Sequence, residues 1–254
     1  MLEIEPVLCL RDNYAWLTYD RSEGVTAIVD PSEAEPVSRA LARRELKLTH
    51  ILNTHHHPDH VGGNLALKAE FGATIIGPGK DAARIPGIDI GVMEGETCRV
   101  GAHAAKVLEI PAHTRGHIAF WFEGDSTVFT GDTLFAMGCG RLFEGDPPTM
   151  WASLSKLMRL PDGTRIYCGH EYTEANGRFA LTVEPGNPDL NDRMVDVRSA
   201  RAKGLPTLPT TMALEKKTNP FLRAHSPEIR KILGLESAND VDVFAETRRR
   251  KDVF

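Results

Sequence analysis

The sequence predicts an α/β protein, with a strand-rich body over residues 1–172 and a small helical domain over residues 173–254. Three observations predict it. Short apolar runs bounded by turn residues alternate with amphipathic stretches through the first two thirds of the chain. After "TRIYCGH" (164–170) these runs stop, and helix-period segments separated by turn signals follow one another. The charge balance changes at the same place. Residues 1–172 hold 16 Lys/Arg against 23 Asp/Glu, giving −7, whereas residues 173–254 hold 14 against 12, giving +2.

The elements follow in order. "VTAIVDP" (25–31) is an apolar run ended by Asp-Pro, a buried strand entering a turn. "EPVSRALARREL" (35–46) places apolar residues at helical spacing with charges opposite them. "LTHILNTH" (48–55) is a second buried strand, so strand, helix and strand form a unit suited to parallel pairing. "GGNLALKAEFGA" (62–73) reads as a helix ended by Gly72, and "ATIIGP" (73–78) as the next strand. "AKVLEIPA", "IAFWFEG" and "STVFTGD" are further strands, "PTMWASLSKLMRLPDG" (148–163) is an amphipathic helix stopped by Pro-Asp-Gly, and "TRIYCGH" holds a last short strand. "NPDLNDRMVDVRSARAKG", "SPEIRKILGL" and "SANDVDVFAETRRRKD" are the helices of the tail.

Composition limits the function classes. With 254 residues, 41% hydrophobic and 26% charged, the chain has enough apolar residues to bury a core. No run approaches the roughly 18 apolar residues of a membrane span, and the acidic start lacks the basic end of a signal peptide. A cytoplasmic protein without membrane association is expected. A net charge of −5 argues against indiscriminate nucleic-acid binding. Cys9, Cys98, Cys139 and Cys168 form no CxxC pair, so neither a disulfide scaffold nor a thiolate zinc knuckle is expected.

Histidine is concentrated instead. "THHHPDH" (54–60) packs four imidazoles and an aspartate into seven residues, while the whole chain has ten histidines. Three more segments carry the same chemistry to strand ends: "PAHTRGH" (111–117), "FTGDTLF" (129–135) and "YCGHEYT" (167–173). Imidazole and carboxylate without thiolate suit zinc, iron or manganese in an open catalytic site better than a closed structural zinc.

In order and spacing these four segments resemble the metallo-β-lactamase superfamily. The resemblance implies a four-layer αββα sandwich holding two divalent metal ions, zinc first, with iron or manganese as alternatives. It assigns His55, His57 and His113 to one ion. It assigns Asp59, His60 and His170 to the other, with Asp132 bridging. His56 and His117 belong to the motifs but are read as supporting or packing residues.

Substrate has to be read elsewhere. "LFAMGCGRLFEG" after Asp132, "YCGHEYTEANGRFALTVEPGN" around His170, the helical tail and its closing "RRRKD" together resemble the glyoxalase II (hydroxyacylglutathione hydrolase) family over essentially the whole chain. That resemblance implies hydrolysis of S-D-lactoylglutathione to glutathione and D-lactate, the second step of methylglyoxal detoxification, with hydroxide held between the metals as nucleophile. Asp59 and Asp132 would be catalytic as well as ligands. Arg141, Phe143, Tyr172, Arg248 and Lys251 would meet the glutathione moiety, in a monomer. Phe143 stands where many members have tyrosine, and Arg141 where many have lysine. The charges agree, because a glutathione thioester is a net anion and Arg248 and Lys251 share one helix face. The rival expectations are a single-iron glutathione persulfide dioxygenase and a non-catalytic metal-binding module.

Overall fold

The computed structural model describes residues 2–254. Two six-stranded sheets lie face to face, with helices outside each. The first sheet is built from β1 (Glu3–Cys9), β2 (Asn13–Asp20), β3 (Val25–Val29), α1 (Ala34–Arg44), β4 (His50–Leu52), α2 (Pro58–Val61), α3 (Asn64–Phe71), β5 (Thr74–Pro78) and β6 (Ile90–Val92). The second takes β7 (Thr97–Val100), β8 (His103–Glu109), β9 (Ile118–Phe122), β10 (Thr127–Gly131) and, after the hairpin β11 (Leu134–Phe135) and β12 (Gly138–Cys139), α4 (Pro147–Leu157) and β13 (Arg165–Cys168). The tail adds α5 (Thr173–Val183), α6 (Pro188–Ala202), β14 (Thr210–Thr211), α7 (Met212–Thr218), α8 (Pro227–Leu233) and α9 (Asp240–Asp252).

Strand order is β1-β2-β3-β4-β5-β6 in one sheet and β14-β13-β10-β9-β8-β7 in the other. The expected strand–helix–strand unit is β3–α1–β4, and β3 through β6 are parallel. The opening hairpin β1–β2 is not among the strands expected from the sequence pattern. β1 is an edge strand bearing Glu3, Glu5 and Pro6, so its alternation is blunted by charge, and proline is tolerated at an edge. The tail is helical except for β14, which pairs antiparallel with β13 and so completes the edge of the body's second sheet.

Alternating side chains explain the four layers. On β4, Ile51 faces out toward Val37 and Leu41 of α1, while Leu52 faces in. On β10, Val128 faces Met150 and Leu154 of α4, and Phe129 faces the other sheet. The space between the sheets is filled by Tyr14, Trp16, Phe120, Phe129 and Tyr167, each almost fully buried. Burying one such ring contributes about 1.5–3 kcal/mol. A second apolar body joins α4 to the tail through Phe179, Phe221 and Phe244. Helix ends use the local signals of the sequence: Gly72 closes α3 in the left-handed region, and Asp146, Asn187, Ser226 and Asn239 cap α4, α6, α8 and α9.

Candidate metal centre

The site lies where β4, β8, β10 and β13 end and their loops converge. His57 stands at the N-cap position of the short α2, whose Pro58 occupies the first turn, and the turn brings Asp59 and His60 round beside the first histidines, with His60 4.1 Å from His55 between ring centroids. Two groups result. His55, His57 and His113 bring their ligand atoms within 4.8 Å of one another, and so do Asp59, His60 and His170. His57 Nδ1 is 3.2 Å from His55 Nε2 and 3.1 Å from His113 Nε2. Asp59 Oδ2 is 3.5 Å from both His60 Nε2 and His170 Nε2.

Asp132 stands between the groups. Its Oδ2 is 3.5 Å from His113 Nε2 and 3.3 Å from His170 Nε2, and its Oδ1 is 3.4 Å from His60 Nε2. Neither His60 Nε2 nor Asp132 Oδ1 is aligned as a hydrogen bond, and both are buried without a partner. Buried polar atoms of this kind are costly unless something else satisfies them. Six inward-facing nitrogen and oxygen donors around such orphans fit divalent metal ions, and the residues present form a seat for them.

What lies behind the imidazoles fixes which nitrogen faces in. Thr54 Oγ1 donates to Asp30 Oδ2 at 2.6 Å, so toward His55 Nδ1, 3.0 Å away, it is the acceptor. His60 Nδ1 faces Asp30 Oδ2 at 3.2 Å, His170 Nδ1 faces Asp12 Oδ1 at 2.9 Å, and His113 Nδ1 donates to the carbonyl of Arg141 at 2.9 Å. Four rings therefore place their N–H outward and aim Nε2 at the centre, the arrangement that makes imidazole a ligand. Asp59 is steadied from outside by Asn13 Nδ2, which donates to its Oδ2 and carbonyl at 3.1 Å, and by Ser32.

The two groups differ in charge. Burial, with the neighbouring imidazoles, holds His55 well below the ordinary histidine range and pushes His57 down to about 4; burial also lowers His113. In the other group burial is the largest single influence and opposes protonation, but Asp132, joined by Asp30 at His60 and by Asp12 at His170, outweighs it and raises both imidazoles. Asp132 is correspondingly held well below the usual carboxylate range: burial opposes this, and the two imidazoles overcome it.

His117 and His56 stand outside both groups. His117 stacks on His55 at 4.6 Å between ring centroids and accepts the Asp132 backbone N–H through Nε2 at 3.1 Å. His56 Nδ1 lies 3.3 Å from Asp81 Oδ2. Glycine is needed at two neighbours of the ligands. Gly131 has φ +46°, and a Cβ at Gly169 would lie 2.5 Å from Asp132 Oδ1.

One cleft of about 610 Å³ opens from this centre and runs to the tail. Arg141, Phe143, Tyr172, Arg248 and Lys251 all line it. Tyr172 lies flat on His170, 4.6 Å between centroids and 2° from parallel, and Phe143 approaches His113 at 5.2 Å. Burial, then nearby carboxylates, raises the Tyr172 hydroxyl above its ordinary value, so it stays a donor. Lys251 Nζ sits 4.9 Å from the Phe254 ring and 5.4 Å from Phe179, and burial pushes its pKa down to about 8. Arg248 is nearly buried: Nη1 donates to the carbonyl of Cys139 at 2.8 Å, Nη2 pairs with Asp252 at 3.0 Å, and Nε has no partner. Of the other two cations in "RRRK", Arg249 and Arg250 both pair with Glu246.

Asp12, Asn13, Asp30 and Thr54 support the site without belonging to the candidate donor set of the motifs. Only Thr54, next to the histidines, and Asp30, at the end of a strand, carried any signal. All four cysteines are free and buried, and burial raises each thiol, in keeping with core packing. No helix among the described residues is long and apolar enough to cross a membrane.

Comparison with known proteins agrees with this geometry. The family model "Metallo-beta-lactamase superfamily" matches residues 12–170, and "Hydroxyacylglutathione hydrolase C-terminus" matches residues 171–254. The chain is 54% identical over 254 residues to a hydroxyacylglutathione hydrolase of Methylococcus capsulatus, covering 100% of this chain and 99% of the relative. It is 54% identical over 253 residues to one of Rhizobium meliloti, with the same coverage. Among solved structures, ETHE1 from Myxococcus xanthus is similar at TM-score 0.67 and 26% identity, covering 100% of both chains. TTHA1623 in a di-iron-bound form is similar at TM-score 0.61 and 27% identity, covering 86% of this chain and 100% of that one. Fold, donor set and full-length likeness converge, and the chain belongs to the hydroxyacylglutathione hydrolase family of the metallo-β-lactamase superfamily.

Proposed function

We propose that the protein hydrolyses S-(2-hydroxyacyl)glutathione, with S-D-lactoylglutathione as the reference substrate, to glutathione and the 2-hydroxy acid. The observation that carries this reading is that a single cleft has the His/Asp centre at one end and Arg141, Arg248 and Lys251 at the other. A thioester with a carboxylate-rich thiol half needs both ends at once. In this reading residues 1–172 supply the catalytic body and residues 173–254 the glutathione-binding domain.

His55, His57 and His113 would hold one metal ion and Asp59, His60 and His170 the other, with Asp132 shared. Zinc is our first assignment, with iron or manganese as alternatives; the di-iron form of TTHA1623 supports a pair of ions in such a site. When bound, the ions supply an acidified water and a Lewis acid for the thioester carbonyl.

The protein's own residues do the rest. Asp59 is about one third exposed at the cleft, and Asn13 fixes its Oδ2. It is placed to orient the attacking water and accept its proton. Tyr172, stacked on His170 and lining the cleft, offers its O–H to the glutathione moiety. Arg141, Arg248 and Lys251 receive the carboxylates of the thiol half. The leaving thiolate needs no dedicated acid, because a thiol has a reference pKa of about 8.5. No serine or cysteine nucleophile is required, since the cleft cysteine Cys139 is buried and its thiol is raised.

The test is to determine bound metals and follow thioester absorbance with S-D-lactoylglutathione before and after chelation. Hydrolysis that chelation abolishes and metal restores is the expected result. A fully metallated protein that leaves the thioester intact overturns the reading.

A further inference from the structure

Asp132 and Arg141 are joined by the hairpin β11–β12, and the tail holds this hairpin residue by residue. Asn219 Nδ2 donates to the carbonyls of Phe135 at 3.1 Å and Gly138 at 3.0 Å. Asn176 Nδ2 donates to the carbonyl of Ala136 at 3.1 Å. The N–H of Met137 donates to Glu215 Oε2 at 2.8 Å, and Arg248 takes the carbonyl of Cys139. Every residue from 135 to 139 thus has one backbone group tied to a tail side chain. Met137 has φ +53°, a left-handed conformation that a non-glycine residue keeps only when its surroundings impose it.

Glu215 is the hub of these anchors. It is fully buried, and its Oε1 accepts from Arg193 at 2.6 Å and from Thr210 at 2.7 Å. Its Oε2 also accepts from Asn219 at 3.0 Å. Neither Glu215 nor Asn219 lines the cleft. The hairpin leads from them to the chemistry in three directions. Asp132 lies just before it. Beyond it, the carbonyl of Arg141 orients His113. Within it, the Phe135 ring packs on Tyr172 at 5.3 Å and on His170 at 6.0 Å.

We propose that Glu215 and Asn219 are positioning residues: they set the 135–139 turn and through it the geometry of Asp132, His113 and the cleft wall. The tail is on this view a structural part of the active site as well as a binding module. The kinetic half of this inference rests on the hydrolase reading; the anchoring half does not.

The tail supplies its own control. Glu184 is an equally buried carboxylate, bonded to Arg223, Ser226 and Asn187, all within the tail. Glu215→Gln, Asn219→Ala and Glu184→Gln are compared in the full-length protein by amide hydrogen exchange and by kcat per metal-loaded molecule, well below each melting temperature. Exchange at Met137 and its neighbours is expected to rise about tenfold or more in the first two variants and not in Glu184→Gln. Their kcat is expected to fall about 10–100-fold, with Glu184→Gln near wild type. Should Glu215→Gln fail to fold, Asn219→Ala decides. Wild-type exchange at 135–139, or faster exchange with unchanged kcat, overturns the proposal. A wild type that hydrolyses no thioester removes the function proposed above, and the exchange comparison still decides whether the tail anchors the turn.

Discussion

The two ends of the cleft are built on opposite plans. At the metal end, His55 and His60 are at most 1% exposed, and an acceptor behind each ring fixes it in place. At the other end, Arg141 is 64% exposed and Phe143 61%. Rigid donors suit a centre in which small displacements cost rate, and an exposed arginine beside more buried cations suits the capture of a flexible anion. Damage to one end should therefore show in metal retention and kcat, and damage to the other in KM.

The largest effect should come from an outer residue at the rigid end. Asp30→Asn puts an amide where His60 Nδ1 and Thr54 expect a carboxylate, and an N–H aimed at His60 disfavours the tautomer that presents Nε2 inward. Metal affinity is expected to fall about 10–100-fold, read by competition with a chromophoric chelator. Wild-type affinity would show that Asp30 does not steer the site.

At the cation end, pH gives a signature. The lysine binds anions as an ammonium. Because burial sets its pKa at about 8, the charge is present below that pH and is lost above it. KM should therefore climb above pH 8, by up to about tenfold, while kcat does not follow it. Lys251→Arg keeps its charge throughout and should flatten the rise. An equal rise in that variant would place the titration on another group.

The smallest effect belongs to Phe143→Tyr. A new hydroxyl at an exposed position contributes about 1 kcal/mol at best, so KM should drop by no more than about fivefold. A change in kcat instead would mean that this ring acts on the metal end it touches.

The contrast also explains what the sequence disclosed. Groups able to hold a metal ion must be particular residue types, and here the seven candidates stand close to strand ends, so they stand out as short dense motifs. Arg248 and Lys251 are legible because three-residue spacing puts them on one face of a helix, with Arg249 and Arg250 turned to Glu246. Asp12 and Asp30 act singly, from loops remote in sequence; Asp30 is marked only by its place at a strand end, and nothing distinguishes Asp12 among 35 acidic residues. Glu215 and Asn219 are harder still. They serve backbone atoms about eighty residues away, and backbone atoms leave no mark on residue identity. The opening hairpin was obscured by a different cause, since its edge strand carries the charges that keep edges from aggregating.

The anchoring of residues 135–139 by the tail has a consequence for the order in which the molecule is made. Synthesis runs from the N-terminus, and a body tends to fold as it emerges. His170, the last of the candidate metal donors in the chain, leaves the ribosome well before Glu215, Asn219 and Arg248. The nascent protein thus passes through a stage in which it holds every candidate metal donor but not yet Glu215, Asn219 and Arg248, which hold most of the hairpin beside them. Glu215, Asn219 and Arg248, made later, are the groups that complete the turn beside that centre.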